Sequence, residues 1–175
     1  MHDDPSAPIA LCGPHVKLKR HPERGSHERV DVHAIIDAAP ITHVAFAGPD
    51  GLPLCMPTAH ARIGDAIYLH GAAQNGMLRA LCERGRASLT FTLLDGLVLA
   101  RTAFHHSMNF RSAVVLGRAS AVSGLDEKRL ALHALIEHMA EGRMRELTAP
   151  TEPELRATLV VRVDMDEASA KVRSG

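Results

Sequence analysis

The chain has 175 residues, with 20 basic and 20 acidic side chains and a formal net charge of zero. That length suits one domain with a single core, and the charge balance supplies no general field to draw nucleic acid or an anionic membrane. Four Phe, one Tyr and no Trp leave few platforms for stacking bases, and no apolar stretch approaches the roughly 20 residues that span a bilayer.

In chain order, residues 1–19 read as a flexible arm, interrupted by Pro5, Pro8, Gly13 and Pro14. Their apolar run is too short for a secretory signal. Cys12, Cys55 and Cys82 are odd in number and widely spaced, with no CxxC. We read them as reduced thiols of a cytoplasmic protein, outside any disulfide framework or zinc site. Residues 20–175 form the expected domain. After the basic turn Arg20-His21-Pro22-Glu23-Arg24, Asp31 is placed to cap a helix with Val32, Ile35, Ile36 and Ala39 on its apolar face, stopped by Pro40. Residues 41–47 read as a strand and Pro49-Asp50-Gly51 as a turn. In residues 54–62, Met56, Thr58, His60 and Arg62 share one face, and Pro57 argues for an edge or a bulge.

A turn at Gly64-Asp65 leads to a strand over 66–70, then to His70-Gly71-Ala72-Ala73-Gln74-Asn75-Gly76-Met77. Asn75 can cap a helix bearing Met77, Leu78, Ala80 and Leu81. A strand, a glycine turn and a helix start can aim free backbone N–H groups at a phosphate. In residues 89–100 two extended apolar runs flank Asp95-Gly96, which predicts a hairpin turn there. A polar segment from Arg101 to Arg111 precedes a third run over 113–119. Asp126 to Glu141 predicts a helix with Leu132, Leu135, Ile136 and Met139 along its stripe, closed by Gly142. Thr151 and Glu154 suit a capping box, and residues 158–163 are the last clear strand. About seven strands in neighbouring antiparallel pairs, with three or four helices, predict a mainly β fold: a barrel with peripheral helices.

The chemical groups allow two readings each. Thr58, His60 and Arg62 suit either a solvated face or a ligand-lining one. Arg101 and Arg111 suit either a phosphate clamp or ordinary surface positions. Gly71-x4-Gly76 resembles a phosphate turn without the Lys-Ser/Thr of a P-loop. His105-His106 lacks a third ligand at a familiar metal spacing, so no metal site is expected. No Gly-x-Ser-x-Gly elbow or carboxylate pair suggests hydrolysis.

Four blocks, RHPER (20–24), YLHG (68–71), TLLDGLVLARTAFHHSMNFRSAVVLGRA (92–119) and EASAKVRSG (167–175), together resemble the flavin-nucleotide-binding branch of the pyridoxamine 5′-phosphate oxidase-like superfamily, to which nitroimidazole reductases are related. The resemblance runs from about Lys19 to Gly175. It implies an FMN-binding split β-barrel, a homodimer, and FMN in a cleft at the subunit boundary. It places Met56, Pro57, Thr58 and His60 beside the isoalloxazine and ribityl chain, and His70 and Gly71 near the phosphate. Asn75, Gly76 and Met77 fall behind that phosphate, with Arg111 and Ser112 as further contacts from either subunit. His70 also matches a functional histidine of nitroimidazole reductases and is the candidate catalytic residue. Relatives tend to carry Ser or Thr after the HG pair and a cation before Met-Leu, where this chain has Ala72, Ala73 and Gly76. The family pattern also continues past KVRSG to a further strand, which is either dispensable here or missing from a shortened form. The resemblance implies an FMN-dependent oxidoreductase acting on a small molecule. The alternative is a non-catalytic flavin or haem binder, with His105 or His106 as axial ligand.

Overall fold

The computed structural model describes residues 11–175. Among these, nine strands pair antiparallel throughout. They are β1 (Gly25–Ser26), β2 (Thr42–Ala47), β3 (Pro53–Thr58), β4 (Ala61–Ile63), β5 (Ala66–Ala72), β6 (Arg86–Val98), β7 (Ser107–Ala121), β8 (Thr158–Asp164) and β9 (Glu167–Arg173). The helices are α1 (Arg29–Ala38), α2 (Gly76–Arg84), α3 (Leu125–Met139) and α4 (Glu152–Ala157). The expected mainly β architecture is the one found. No helix among the described residues is long and apolar enough to cross a membrane.

The sheet runs β3-β2-β6-β7-β8-β5-β4, with β9 on β7 and β1 on β9. The long strand β7 holds it together. Its residues 110–116 pair with β9, its residues 119–121 pair with β8, and β6 lines its other side. The chain crosses from β8 to β9 over Gly117, where a Cβ would stand 1.5 Å from the Asp164 carbonyl oxygen. Only a residue without a side chain allows that crossing.

Two apolar clusters fill the fold. The larger joins α1 and α2 to the barrel strands through Ile35, Ile36, Val44, Leu69, Leu78, Leu89, Phe91 and Val115. The smaller sets Ala66, Tyr68 and Val160 of β5 and β8 against Ala131 and Leu132 of α3. Successive β5 residues therefore feed different clusters, as strand alternation requires.

Several boundaries differ from the sequence-based expectation. The Asp95-Gly96 pair is no turn: β6 continues through it with a register shift between Leu94 and Gly96, and its pairing with β7 runs on to Val98 and Ser107. Gly96 is absent from the glycines with positive φ, and a Cβ there would meet nothing within 4 Å. The apolar alternation on both sides of the pair has overridden the turn signal and made it a bulge. The reversal lies in residues 99–106, around a 3₁₀ turn at Ala103–His105. Helix α1 starts at Arg29, with Glu28 rather than Asp31 at its N-cap. Strand β9 was not resolved as a separate strand by pattern, because EASAKVR mixes small and charged residues. Residues 1–10 of the expected arm lie outside the described residues. From Leu11 the chain is docked: Leu11 and Val16 are buried, and Leu11 exchanges backbone hydrogen bonds with His27 and Ala168.

Two local expectations are met in detail, and a third is not. Strand β3, with Pro57, pairs only with β2 and forms the sheet edge. Thr151 and Glu154 make both bonds of a capping box. Met139 is 53% exposed while Ala131 and Leu135 are buried, so the α3 stripe is rotated from the expected one.

Candidate functional site

The strand–turn–helix segment forms as expected. Strand β5 ends at Ala72, the Asn75 side chain accepts a hydrogen bond from the Leu78 N–H at 3.0 Å, and α2 follows. Gly71 matters at this point. A Cβ on it would press Leu78 at 3.1 Å and the Asn75 side chain at 3.2 Å, so its bareness lets the cap close over the strand. The N–H groups of Gly76 and Met77 open the helix without intrahelical acceptors, at its positive end. Gly76 is exposed, has no positive φ, and a Cβ would meet nothing within 4 Å. Ala72 and Ala73 are exposed beside it. The start of α2 is thus open to solvent, with unpaired N–H groups and free space beside residue 76.

His70 neighbours Gly71 but points the other way, toward α3. It lines a cavity of about 250 Å³ with Leu132, His133, Ile136, Met144 and Leu147. Its Nδ1 is buried without a hydrogen-bond partner. Burial alone lowers its pKa, so the imidazole is neutral near pH 7. Pattern reading missed this cavity, because its other walls lie in α3 and residues 142–150, far along the chain.

His60 is fully buried. Its Nε2 donates to the Ile36 carbonyl at 3.0 Å, and its ring lies 4.8 Å from Phe91 and 4.6 Å from His138. Burial pushes its pKa down to about 4. In this chain His60 is a core residue with no surface to offer a ligand. Met56 and Thr58 oppose Val44 and Thr42 on one face of the β3 edge, and Pro57 opposes His43 on the other. Met56 is 47% exposed.

Arg111 and Ser112 occupy opposite faces of β7. Arg111 donates to the Asp95 carboxylate, with Nη2 to Oδ1 at 2.8 Å, and holds that carboxyl below the usual range. Asp95 reaches it from the bulge. Ser112 sits in register between Thr92 and Lys171. The structure therefore brings Gly71, Asn75, Gly76 and Met77 together. Met56, Pro57 and Thr58 lie on the edge strand and Arg111 and Ser112 on β7, with His60 apart in the core. His105 and His106 are exposed on the β6–β7 loop, with His106 Nδ1 bonded to the Thr102 carbonyl at 3.0 Å. No group of three His, Cys, Asp or Glu among the described residues could hold a metal ion.

The family model for pyridoxamine 5′-phosphate oxidase matches residues 28–172. The chain belongs to that family. Its fold is the family's flavin-binding one. Among solved structures, the flavocytochrome Anf3 from Azotobacter vinelandii is 36% identical, with 96% of this chain and 77% of that one covered at a TM-score of 0.85. The FAD and heme binding protein from Mycobacterium smegmatis is also 36% identical, with 87% and 74% covered at 0.80. A protein from Bacteroides thetaiotaomicron named for 5-nitroimidazole antibiotic resistance is 25% identical, with 82% and 83% covered at 0.70. No curated protein matches the sequence.

Proposed function

We propose that this protein is a flavin-dependent oxidoreductase of the cytoplasm, with FMN as its cofactor and a small molecule as its substrate. The observation that carries the reading is the β5–α2 turn, where Gly71, the Asn75 cap and the free N–H groups of Gly76 and Met77 make a cradle fit for a phosphate. Bound there, the flavin supplies the hydride or electron chemistry. This chain's part is to hold the phosphate by backbone N–H groups, to present Met56–Thr58 at the open edge, and to keep the ring out of water. His70, neutral near pH 7, is the candidate proton acceptor. Arg111 is tied to Asp95, so its service to a phosphate requires that ion pair to open or to be shared. The free thiols Cys12, Cys55 and Cys82 support a reducing compartment.

The protein is proposed to act as a homodimer. Leu94, Leu97, Leu99, Phe104 and Met108 are 49–90% exposed on and around the β6–β7 hairpin, and so many exposed apolar side chains on one hairpin suit a second copy. Light scattering at micromolar concentration should return twice the chain mass. A mass of one chain contradicts the dimer.

A second reading, haem binding, is favoured by the unpartnered His70 Nδ1 facing an apolar cavity and by the names of the two structures at 36% identity. The cavity is below the usual range of small-molecule sites, roughly 300–1,000 Å³, so haem entry requires residues 142–150 to move. One experiment separates the readings: the visible spectrum of protein incubated with excess FMN or hemin and then desalted. Two broad near-ultraviolet and blue bands are expected from retained flavin. A sharp Soret band alone favours haem, and neither absorption overturns both.

A further inference from the structure

We infer that the cavity between β5 and α3 binds a small, neutral, planar bicyclic heteroaromatic molecule, hydrogen-bonded to the His70 imidazole. As a class of substrate for the proposed oxidoreductase, such a molecule rests on the flavin reading; its binding needs no flavin.

The walls are held in place before any ligand arrives. His70 pairs in register with the buried Val160 of β8, which fixes its backbone within the sheet. Helix α3 is anchored near both ends. Lys128 Nζ donates to the Leu155 and Thr158 carbonyls at 3.1 and 2.9 Å, and His138 Nε2 donates to the Ala39 carbonyl at 2.9 Å. The outer wall, carrying Met144 and Leu147, is clasped to the same helix. There the Glu137 carboxylate accepts from the Gly142 N–H at 2.6 Å and from the Met144 N–H at 2.9 Å. Sites for small molecules are usually preformed in this way.

Size and chemistry then select the ligand. An apolar cavity of about 150 Å³ admits benzene, so the 250 Å³ here suits a ring system of roughly nine or ten heavy atoms. Leucine, isoleucine and methionine side chains make up most of the lining, where an ion would give up its water for little in return. Arg129 stands on the wall too, but Asp126 engages it at 3.2 Å. Against this lining sits an imidazole whose hydrogen bonds are unspent. Nδ1 is buried without a partner, and among the described residues Nε2 has none either. A hydrocarbon would fill the space and leave that ring unpaired. A flat heteroaromatic with one N–H and one ring lone pair answers both the walls and the imidazole, and Met144 adds a sulfur contact to its face.

The test is calorimetric titration of the full chain with 7-azaindole, and with indene, a hydrocarbon of the same frame, as its control. Saturable one-site binding of 7-azaindole is expected, with indene weaker by roughly tenfold because it cannot pair with the imidazole. His70→Phe keeps an aromatic wall and removes both nitrogens, so the two probes should bind it about equally. Should that variant fail to fold, NMR of wild type labelled with ¹⁵N-histidine decides: 7-azaindole should move the ring nitrogens of one histidine, and indene should not. Binding of 7-azaindole that persists where FMN fails to bind supports the cavity and counts against the flavin reading alone. No saturable 7-azaindole binding at millimolar concentration overturns the site. Indene bound as tightly as 7-azaindole, a preference kept in His70→Phe, or unmoved histidine nitrogens do the same. One-for-one displacement of 7-azaindole by hemin overturns the assignment in favour of haem.

Discussion

Gly117→Ala is expected to destabilise the protein by at least about 3 kcal/mol, because the new methyl would collide with backbone. Its Cβ would lie 1.5 Å from the Asp164 carbonyl oxygen and 2.8 Å from the carbonyl carbon. Relief requires either the β8–β9 crossing or β7 itself to shift. Neither is free to do so. Asp166 N–H donates to the Leu116 carbonyl at 3.1 Å and Ala119 N–H to the Gly85 carbonyl at 3.0 Å, one on each side of Gly117. Arg118 reaches both Asp164 and Asp166 at 3.4 Å and adds a surface clasp over the crossing. For a chain of this length the loss corresponds to a fall of roughly 10 °C in melting temperature. A variant melting within about 2 °C of wild type would show that the crossing has room for a side chain.

The second large effect is acid destabilisation through His60. Its folded pKa of about 4 lies below its ordinary value of 6.5, with burial the main cause. The unfolded chain therefore takes up the proton first as pH falls. Stability from this group is complete above about pH 6.5, is lost as pH drops toward 4, and changes no further below that. The total is about 3 kcal/mol. His33 and His70, whose pKa values burial also lowers, act in the same direction. Urea unfolding at about pH 7 and pH 5 separates the contributions. His60→Gln should be less stable at pH 7 because the core is disturbed, yet lose about 2 kcal/mol less than wild type between the two conditions. Equal losses would mean that the His60 ring titrates normally.

The local signals that proved legible in the sequence were those whose partners lie close along the chain. The Asn75 cap acts three residues on, at Leu78, and the Thr151–Glu154 box spans the same distance. Pro57 marked the edge because a missing N–H forbids a second neighbour at that position. Asp95-Gly96 misled for the opposite reason. A turn competes with a ladder on both sides, and the Phe110, Asn109 and Met108 pairing of β7 kept β6 extended through it. His60 looked like part of an exposed strand face because alternation cannot tell which face is open. Its burial depends on Ile36 of α1 and His138 of α3, 24 and 78 residues away. The β5–turn–α2 segment was legible as structure, and its proposed phosphate role rests on the family resemblance. The His70 cavity was not, since its walls come from distant segments that only the folded sheet brings together.

The most direct test of the central claim, that a flavin phosphate sits at the start of α2, is an FMN titration of apo protein by fluorescence quenching, comparing wild type with Gly76→Arg. Residue 76 has no positive φ and open space around its Cβ position, so arginine fits without strain and adds a cation at the cradle. A charge-assisted hydrogen bond is worth about 1.5–3 kcal/mol, which predicts binding roughly ten- to a hundredfold tighter in the variant, with wild type carrying little flavin as purified. Equal or weaker FMN binding by a folded Gly76→Arg protein would contradict the placement of the phosphate.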